Sequence, residues 1–170
     1  MSRQNEENRK KHSKKINEKR LREQRSESDR KAKLKLILQN LIPIRMSPNC
    51  YCGNPIPFSD CCEPYIKGIK AAPTAEALMR SRYSAYAVHA IEYLLKTTHI
   101  SQRKYHSKKD IEQWATTNQW VKLEVLKATE KTVEFKAYFL DAQLQPQVHH
   151  EKSTFKQQNG HWFYVDGKFY

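Results

Sequence analysis

Long apolar runs are missing from this 170-residue sequence. Its mean hydropathy is −0.89, and it has no stretch of about 18 apolar residues that a transmembrane helix needs. The first thirty residues are charged throughout, so we expect no secretory signal. Only four glycines occur, and none forms a Gly-rich phosphate loop. We therefore expect a cytoplasmic protein with one compact domain and a polar appendage.

Basic charge is plentiful but unevenly placed. The formal net charge is +13, and residues 1–35 hold 14 Lys and Arg against 6 Asp and Glu. The remaining 135 residues hold 17 against 12, an ordinary balance for a soluble domain. Any electrostatic attraction to nucleic acid or to the ribosome is therefore a hypothesis about the N-terminal segment.

The N-terminal segment, residues 1–45, is predicted to be a basic extension that is largely helical or disordered. It has few large apolar side chains before Leu34 and contains good helix formers with i,i+4 charge pairs, Glu7–Lys11, Glu18–Arg22 and Glu27–Lys31. Its end carries an apolar helical stripe, formed by Leu34, Ile37, Leu38 and Leu41. A solvated extension without a partner and an RNA- or ribosome-binding tail both remain open. Membrane-surface binding is disfavoured because the apolar face is sparse.

All four cysteines lie within 13 residues, as Cys50, Cys52, Cys61 and Cys62. Four thiolates complete a closed tetrahedral zinc site, which leaves no coordination position open for catalysis. Gly53 permits a tight turn after the first pair, and Lys67, Lys70 or cations of the tail could offset the negative charge of the site. Two disulfides or reactive redox thiols are the alternatives, which a reducing compartment disfavours. The spacing favours Zn²⁺.

The rest of the chain predicts helices followed by an antiparallel sheet. Thr74 is predicted to cap a helix that reaches about Thr97, and a second helix should run from Ser107 or Lys108 to Thr117. After Trp120 the apolar period changes to two, which predicts four strands, near 121–125, 133–139, 147–157 and 161–166. Asn159-Gly160 is a hairpin signal between the last two. An α+β domain with helices on one sheet face follows.

These residues resemble known families. The thiol cluster resembles the SEC-C motif, a short zinc-binding element, and the chain from about residue 48 to 168 resembles the YchJ family. The likeness is carried by CCEPY at 61–65, PTAEALMRSRYSAY at 73–86, HEKSTF at 150–155 and GHWFYVDG at 160–167. Glu63 stands where that family usually has Gly. The second, C-terminal cysteine cluster of some members is missing, and the basic tail has no counterpart.

The resemblance implies a nuclear-transport-factor-two-like (cystatin-like) cone, with helices on a curved antiparallel sheet, behind a zinc element. We accordingly divide the chain into the extension 1–45, a SEC-C-like element 46–68 and a cone domain 69–170. The resemblance implies no established reaction.

A ligand pocket inside such a cone would use Arg82, Tyr86 and Glu151. Arg82 could hold a ligand anion or pair with a buried Glu151, and we favour a structural ion pair that fixes helix against sheet. Tyr83, Tyr86 and Tyr93 lie on the main apolar stripe, so core packing is favoured over ligand stacking. His149 and His150 should point to opposite faces of their strand, which disfavours a metal site, and no catalytic set can be assembled around the other histidines.

Two functional hypotheses from different classes follow. The sequence favours a non-enzymatic binding or adaptor protein that contacts a protein or ribonucleoprotein partner through the zinc element and the basic tail. The alternative is a small-ligand binder, or an enzyme of unknown reaction, that uses Arg82 and Glu151. A polar-lined cavity containing both side chains would favour the alternative, and a filled cone would favour the adaptor.

Overall fold

A computed structural model describes residues 19–25 and 49–170. The chain divides into two compact units, Met1–Met46 and Ser47–Tyr170. Within the described ranges, no helix is long and apolar enough to cross a membrane.

In the first unit, residues 19–25 are helical and exposed. Lys19 and Glu23 form an ion pair one helical turn apart, at 4.0 Å. The apolar stripe and the three charge pairs expected for this segment fall wholly or partly outside the described residues.

Over its described residues, the second unit begins with the thiol segment (residues 49–69) and contains five helices and four strands in chain order. A 3-10 turn at Phe58–Asp60 lies between the two cysteine pairs. The helices are α1 (Glu63–Ile66), α2 (Ala75–Ala87), α3 (Ile91–Lys96), α4 (Ile100–Arg103) and α5 (Lys108–Thr117). The strands are β1 (Gln119–Ala128), β2 (Thr132–Leu140), β3 (Pro146–Gln158) and β4 (His161–Phe169).

The four strands form one antiparallel meander in the order β1-β2-β3-β4, as the change of period predicts. Burial alternates strictly along β2, so one sheet face is packed against the helices. Asn159 and Gly160 both take positive φ, 51° and 76°, the pattern of a two-residue type I′ hairpin turn. The α+β architecture expected from the sequence is confirmed.

The first long helix is shorter than predicted. Thr74 caps α2 by accepting a hydrogen bond from the Ala77 amide at 3.0 Å, as expected. The helix ends at Ala87, however, and His89 takes φ 57°. The His89 amide donates to Tyr86 O and the Ala90 amide to Ala85 O, which is the Schellman pattern of helix termination. The apolar stripe continues into α3, so periodicity alone could not show this break.

The thiol segment and the cone share one hydrophobic core. Cys50, Cys52 and Cys62 are buried together with Leu78 of α2 and Leu123 of β1. A smaller cluster joins α2, α3 and α5, through Ala85, Ile91, Leu94, Ile111 and Ala115. The division that we expected at residues 68 and 69 therefore separates two parts of one packed unit.

Candidate metal centre and cone cavity

The four cysteine sulfurs converge on one point. Cys50, Cys52, Cys61 and Cys62 are free thiols, and their Sγ atoms all lie within 4.8 Å of one another. The Cys52–Cys61 and Cys61–Cys62 sulfur separations are 3.6 Å and 3.8 Å. A tetrahedral ion with sulfur bonds of about 2.3 Å requires sulfurs about 3.8 Å apart. The donor set and its geometry can therefore hold a metal ion.

The turn around the first pair of cysteines brings them together. The Gly53 amide donates to Cys50 O at 3.0 Å while Gly53 takes φ 86°, which a residue with a side chain rarely adopts. The Cys50 amide in turn donates to Ile56 O at 2.7 Å. Asn54 Nδ2 donates to Cys61 Sγ at 3.4 Å and so links the first pair to the second.

Close packing of the Cys50, Cys52 and Cys62 thiols makes their protonation states interdependent. Hydrogen bonds to Cys50 and Cys52, together with burial, raise the pKa of the Cys62 thiol. The hydrogen bonds that Cys50 receives from Cys52 and Cys62 lower the pKa of Cys50 to about 2. Without a cation the sulfurs share protons, whereas a bound divalent ion would replace those protons with a charge at the centre.

Arg80 of α2 contacts the backbone of the cysteine cluster, a role that the sequence analysis did not assign. Its Nη1 donates to Cys52 O at 3.0 Å, and its Nε contacts Glu76 Oε1 at 2.8 Å. Lys67, which we expected to offset the charge of the thiolates, instead pairs with Glu63 at 2.9 Å. Arg80 and Arg82 are two positions apart on α2 and so serve different sites.

A second candidate site is a cavity of about 190 Å³ between α2, α5 and the sheet. Its walls are mostly aromatic, and they include Tyr83, Tyr86, Trp114, Trp120, Phe135 and Phe155. Its polar lining comes from Arg82, His106, His149, Glu151 and Ser153. The cone is therefore not filled, and it brings all three predicted pocket residues to one cavity.

Arg82 is held by the segment that follows the helix break. Its Nη1 donates to Leu94 O at 2.8 Å and to Thr97 Oγ1 at 2.7 Å. Its guanidinium carbon lies 4.8 Å from the centre of the Tyr164 ring. The expected ion pair with Glu151 is wrong, because these two described side chains form no contact within 4.0 Å. Because the chain turns at His89 and forms α3, the oxygens of Leu94 and Thr97 accept hydrogen bonds from Arg82 instead.

Glu151 is 6% exposed, and its carboxylate is stabilised by two residues of its own strand and by Tyr164 of β4. His149 Nε2 lies 2.7 Å from one carboxylate oxygen, and Ser153 Oγ donates to the other at 2.6 Å. Burial acts to raise the pKa of Glu151, but hydrogen bonds from His149 and Ser153 hold it below its usual value. Gly167 of β4 leaves the space for this carboxylate, since a Cβ there would lie 2.6 Å from Glu151 Cδ.

Strand alternation could have identified His149 as a cavity residue. Positions 149, 151, 153 and 155 share one face of β3, whereas His150 lies on the other face and contacts Glu134 at 3.0 Å. The two histidines point to opposite faces, as expected. His106 also lines the cavity, in the segment between α4 and α5, and no periodic signal marks it.

The tyrosines of the apolar stripe divide between packing and the cavity. The Tyr93 hydroxyl and Ser81 Oγ share a hydrogen bond of 2.7 Å, and the Tyr93 ring packs against the core. Tyr83 and Tyr86 line the cavity, and both rings contact Trp120. Burial raises the pKa of Tyr86, so its hydroxyl stays protonated at neutral pH.

Together these features define a nuclear-transport-factor-two-like α+β protein with an attached four-cysteine element. The family described as "YchJ, middle NTF2-like domain" matches residues 74–167. A UPF0225 protein of Photorhabdus laumondii is 45% identical over 130 residues, which cover 72% of this chain and 81% of that protein. A UPF0225 protein of Geobacter sulfurreducens is 40% identical over 129 residues, with coverages of 72% and 80%. The chain belongs to the YchJ family.

Two solved structures are similar to this chain. The solution structure of a SEC-C motif containing protein from Rhodopseudomonas palustris has a TM-score of 0.67 and 36% identity, over 71% of this chain and 97% of that one. The crystal structure of a SEC-C motif containing protein from Psychrobacter arcticus has a TM-score of 0.59 and 37% identity, over 69% and 80%. The resemblance to the SEC-C and YchJ families that the sequence carries is confirmed.

Proposed function

We propose that the protein holds one structural zinc ion and binds a small molecule in its cone. The convergence of four free sulfurs supports zinc, because thiolate ligands at tetrahedral spacing suit this ion. The ion would take all four ligands from Cys50, Cys52, Cys61 and Cys62, and would supply folding stability and not chemistry. Free thiols also support a reducing, cytoplasmic location.

Metal analysis of the purified chain tests the zinc assignment. We expect about one zinc per chain, and Cys52→Ser should release it because Cys52 is fully buried in the cluster. Ser84→Ala is the matched control, since Ser84 Oγ lies 3.7 Å from Cys50 Sγ but is not a ligand. A native chain without zinc, or full zinc content in Cys52→Ser, would contradict the assignment.

The observation that carries small-molecule binding is the cavity of about 190 Å³ with Arg82 and Glu151 in its lining. A cavity of about 150 Å³ is large enough for benzene, so this one accommodates a single ring with a polar substituent. We propose binding and not catalysis, because both oxygens of Glu151 are already engaged by His149 and Ser153. Glu151 is the one carboxylate among the described residues that line the cavity.

Titration with a neutral ring compound tests this proposal. Trp114 and Trp120 lie in the cavity wall, so benzamide binding should change tryptophan fluorescence. Ala137→Leu should weaken that binding, because Ala137 lines the cavity and is 2% exposed. Ala128→Leu, at the exposed end of β1, is the control and should leave it unchanged. Equal binding by native protein and Ala137→Leu would refute a cone site, and so would a native protein that binds neither benzamide nor its charged analogues.

An adaptor role remains a second candidate because the thiol segment exposes apolar side chains. Tyr51, Ile56 and Ile69 are 43%, 45% and 70% exposed. Ile56→Ser with Ile69→Ser should abolish capture of a protein or ribonucleoprotein partner from lysate if this surface is used. Ile100→Ser removes an equally exposed isoleucine on α4, outside the thiol segment, and should retain that partner.

A further inference from the structure

Arg82 brings a positive charge to the cavity without a carboxylate in contact. Of its three guanidinium nitrogens, only Nη1 donates to a described residue, and its acceptors are the neutral oxygens of Leu94, Thr97 and Thr98. Nε and Nη2 have no hydrogen-bond partner among the residues that the structure describes. No buried side-chain nitrogen or oxygen in the described ranges lacks a partner, so neither of these two nitrogens is fully buried. They can still donate to a ligand.

The negatively charged group in the same cavity, the Glu151 carboxylate, already has hydrogen-bond partners in the protein. Glu151 accepts at one oxygen from Ser153 and contacts His149 at the other, at 2.6 Å and 2.7 Å. By contrast, the Tyr86 hydroxyl has no hydrogen-bond partner among the described residues, and both Arg82 and Glu151 act on it electrostatically. The cavity thus has spare donors, at Arg82 and Tyr86, and a carboxylate that His149, Ser153 and Tyr164 already stabilise.

Free donors beside a carboxylate that is already hydrogen-bonded favour a ligand that has hydrogen-bond acceptors and one negative charge. A guanidinium with two available N–H groups matches the two oxygens of a carboxylate, which it can bind as a fork. A phosphate dianion would need further cations, whereas Arg82 is the one Arg or Lys among the described residues lining the cavity. The remaining wall is aromatic, so the rest of the ligand should be apolar and no larger than about one ring.

We propose that the cone binds a small organic monocarboxylate, with its carboxylate on Arg82 and Tyr86 and its apolar body among Trp114, Trp120 and Phe135. This inference rests on the proposed small-molecule function of the cone and specifies its ligand class. Glu151 then contributes to selectivity, because it disfavours a second negative charge on the ligand.

The test compares three ring compounds that differ mainly in charge: benzoate, neutral benzamide and cationic benzamidine. Calorimetry and tryptophan fluorescence on the full chain should give benzoate an affinity at least about tenfold above that of benzamide, the factor that a hydrogen bond to a charged group supplies. Benzamidine should bind more weakly than benzamide. If benzamide binds and benzoate binds no more tightly, the ligand class is wrong while the cone site stands. If none of the three binds, both are wrong.

Substitution of Arg82, with Arg103 as a control, tests which residue binds the carboxylate of the ligand. Arg82→Gln should reduce the benzoate-to-benzamide ratio to near one. Arg103→Gln is the matched control, since Arg103 also donates to carbonyl groups of this segment, Thr98 O and Lys96 O, but does not line the cavity. Its ratio should equal that of the native protein. An unchanged ratio in Arg82→Gln would overturn the proposal.

Tyr86→Phe provides a second test that is independent of any folding defect in Arg82→Gln. It removes one hydroxyl without a protein partner, so stability should change little, and the affinity for benzoate should fall several-fold more than that for benzamide. Equal losses for the two compounds would overturn the placement of the carboxylate.

Discussion

Gly167→Ala should destabilise the protein through a carboxylate on the neighbouring strand. Gly167 of β4 pairs with Ser153 of β3, and its backbone φ is not in the left-handed region. An alanine is therefore acceptable to the backbone, but its Cβ would lie 2.6 Å from Cδ and 2.9 Å from Cγ of Glu151. The Glu151 side chain, which is 6% exposed, would have to move.

The loss of folding free energy follows from the two hydrogen bonds that break when the Glu151 side chain moves. Glu151 contacts His149 and Ser153 at 2.7 Å and 2.6 Å, and hydrogen bonds to a charged group contribute about 1.5–3 kcal/mol each. Replacing a strand glycine by alanine stabilises the folded state by about 0.5–1 kcal/mol, because alanine loses less backbone entropy on folding. We expect Gly167→Ala to lower the free energy of unfolding by about 2–4 kcal/mol, allowing for partial relaxation.

Urea unfolding of four variants tests this reasoning. In a Glu151→Ser background the overlap is gone, so adding Gly167→Ala should cost less than about 0.5 kcal/mol. Gly160→Ala is the control: it has open space around its Cβ but a φ of 76°, so its cost of about 1 kcal/mol should be the same in both backgrounds. A Gly167→Ala cost that is below about 1 kcal/mol, or equal in the two backgrounds, would refute the placement of Glu151.

Three further predictions concern charge. Burial raises the pKa of Glu151 but its hydrogen bonds hold it below the usual 4.5, so the stability that the ionised carboxylate contributes is complete above that value and is lost as the pH falls through the folded pKa. The difference in unfolding free energy between native protein and Glu151→Gln, followed by urea titration at each pH, should therefore narrow below about pH 4.5; a constant difference would contradict this. Combining Arg82→Glu with Glu151→Arg should recover none of the stability lost in the single variants, because these side chains form no ion pair; a coupling energy above about 1 kcal/mol would count against the structure. If the basic extension binds phosphates, deleting residues 1–33 should abolish salt-dependent retention on immobilised RNA, and equal retention by the truncated chain would exclude that role.

Local signals predicted most of the fold. The caps at Thr74 and Ser107 lie where the sequence indicates, and both accept the expected amide hydrogen bonds. The period-two alternation and the Asn159-Gly160 turn predicted all four strands and their last hairpin. These signals succeed because helix caps and tight turns depend on residues within a few positions of one another.

The errors arise where distant residues decide the outcome. The apolar stripe that suggested one helix to Thr97 is shared by two helices, and the break depends on a left-handed conformation at His89 that periodicity does not register. The same break returns Leu94 and Thr97 to Arg82 and supplies it with neutral acceptors. A direct pair with Glu151 was therefore a reasonable prediction from charge, and it is wrong because of chain topology.

The amino-acid sequence by itself determined the elements of the fold and the four sulfur donors, because helical period, strand period and cysteine spacing are local properties. Tertiary structure alone decided that the cone holds a cavity and which groups enter it. Strand register places Gly167 against Glu151, and the helix break directs Arg82 to the same space. Both depend on contacts between residues far apart in the chain, which no short stretch of sequence encodes.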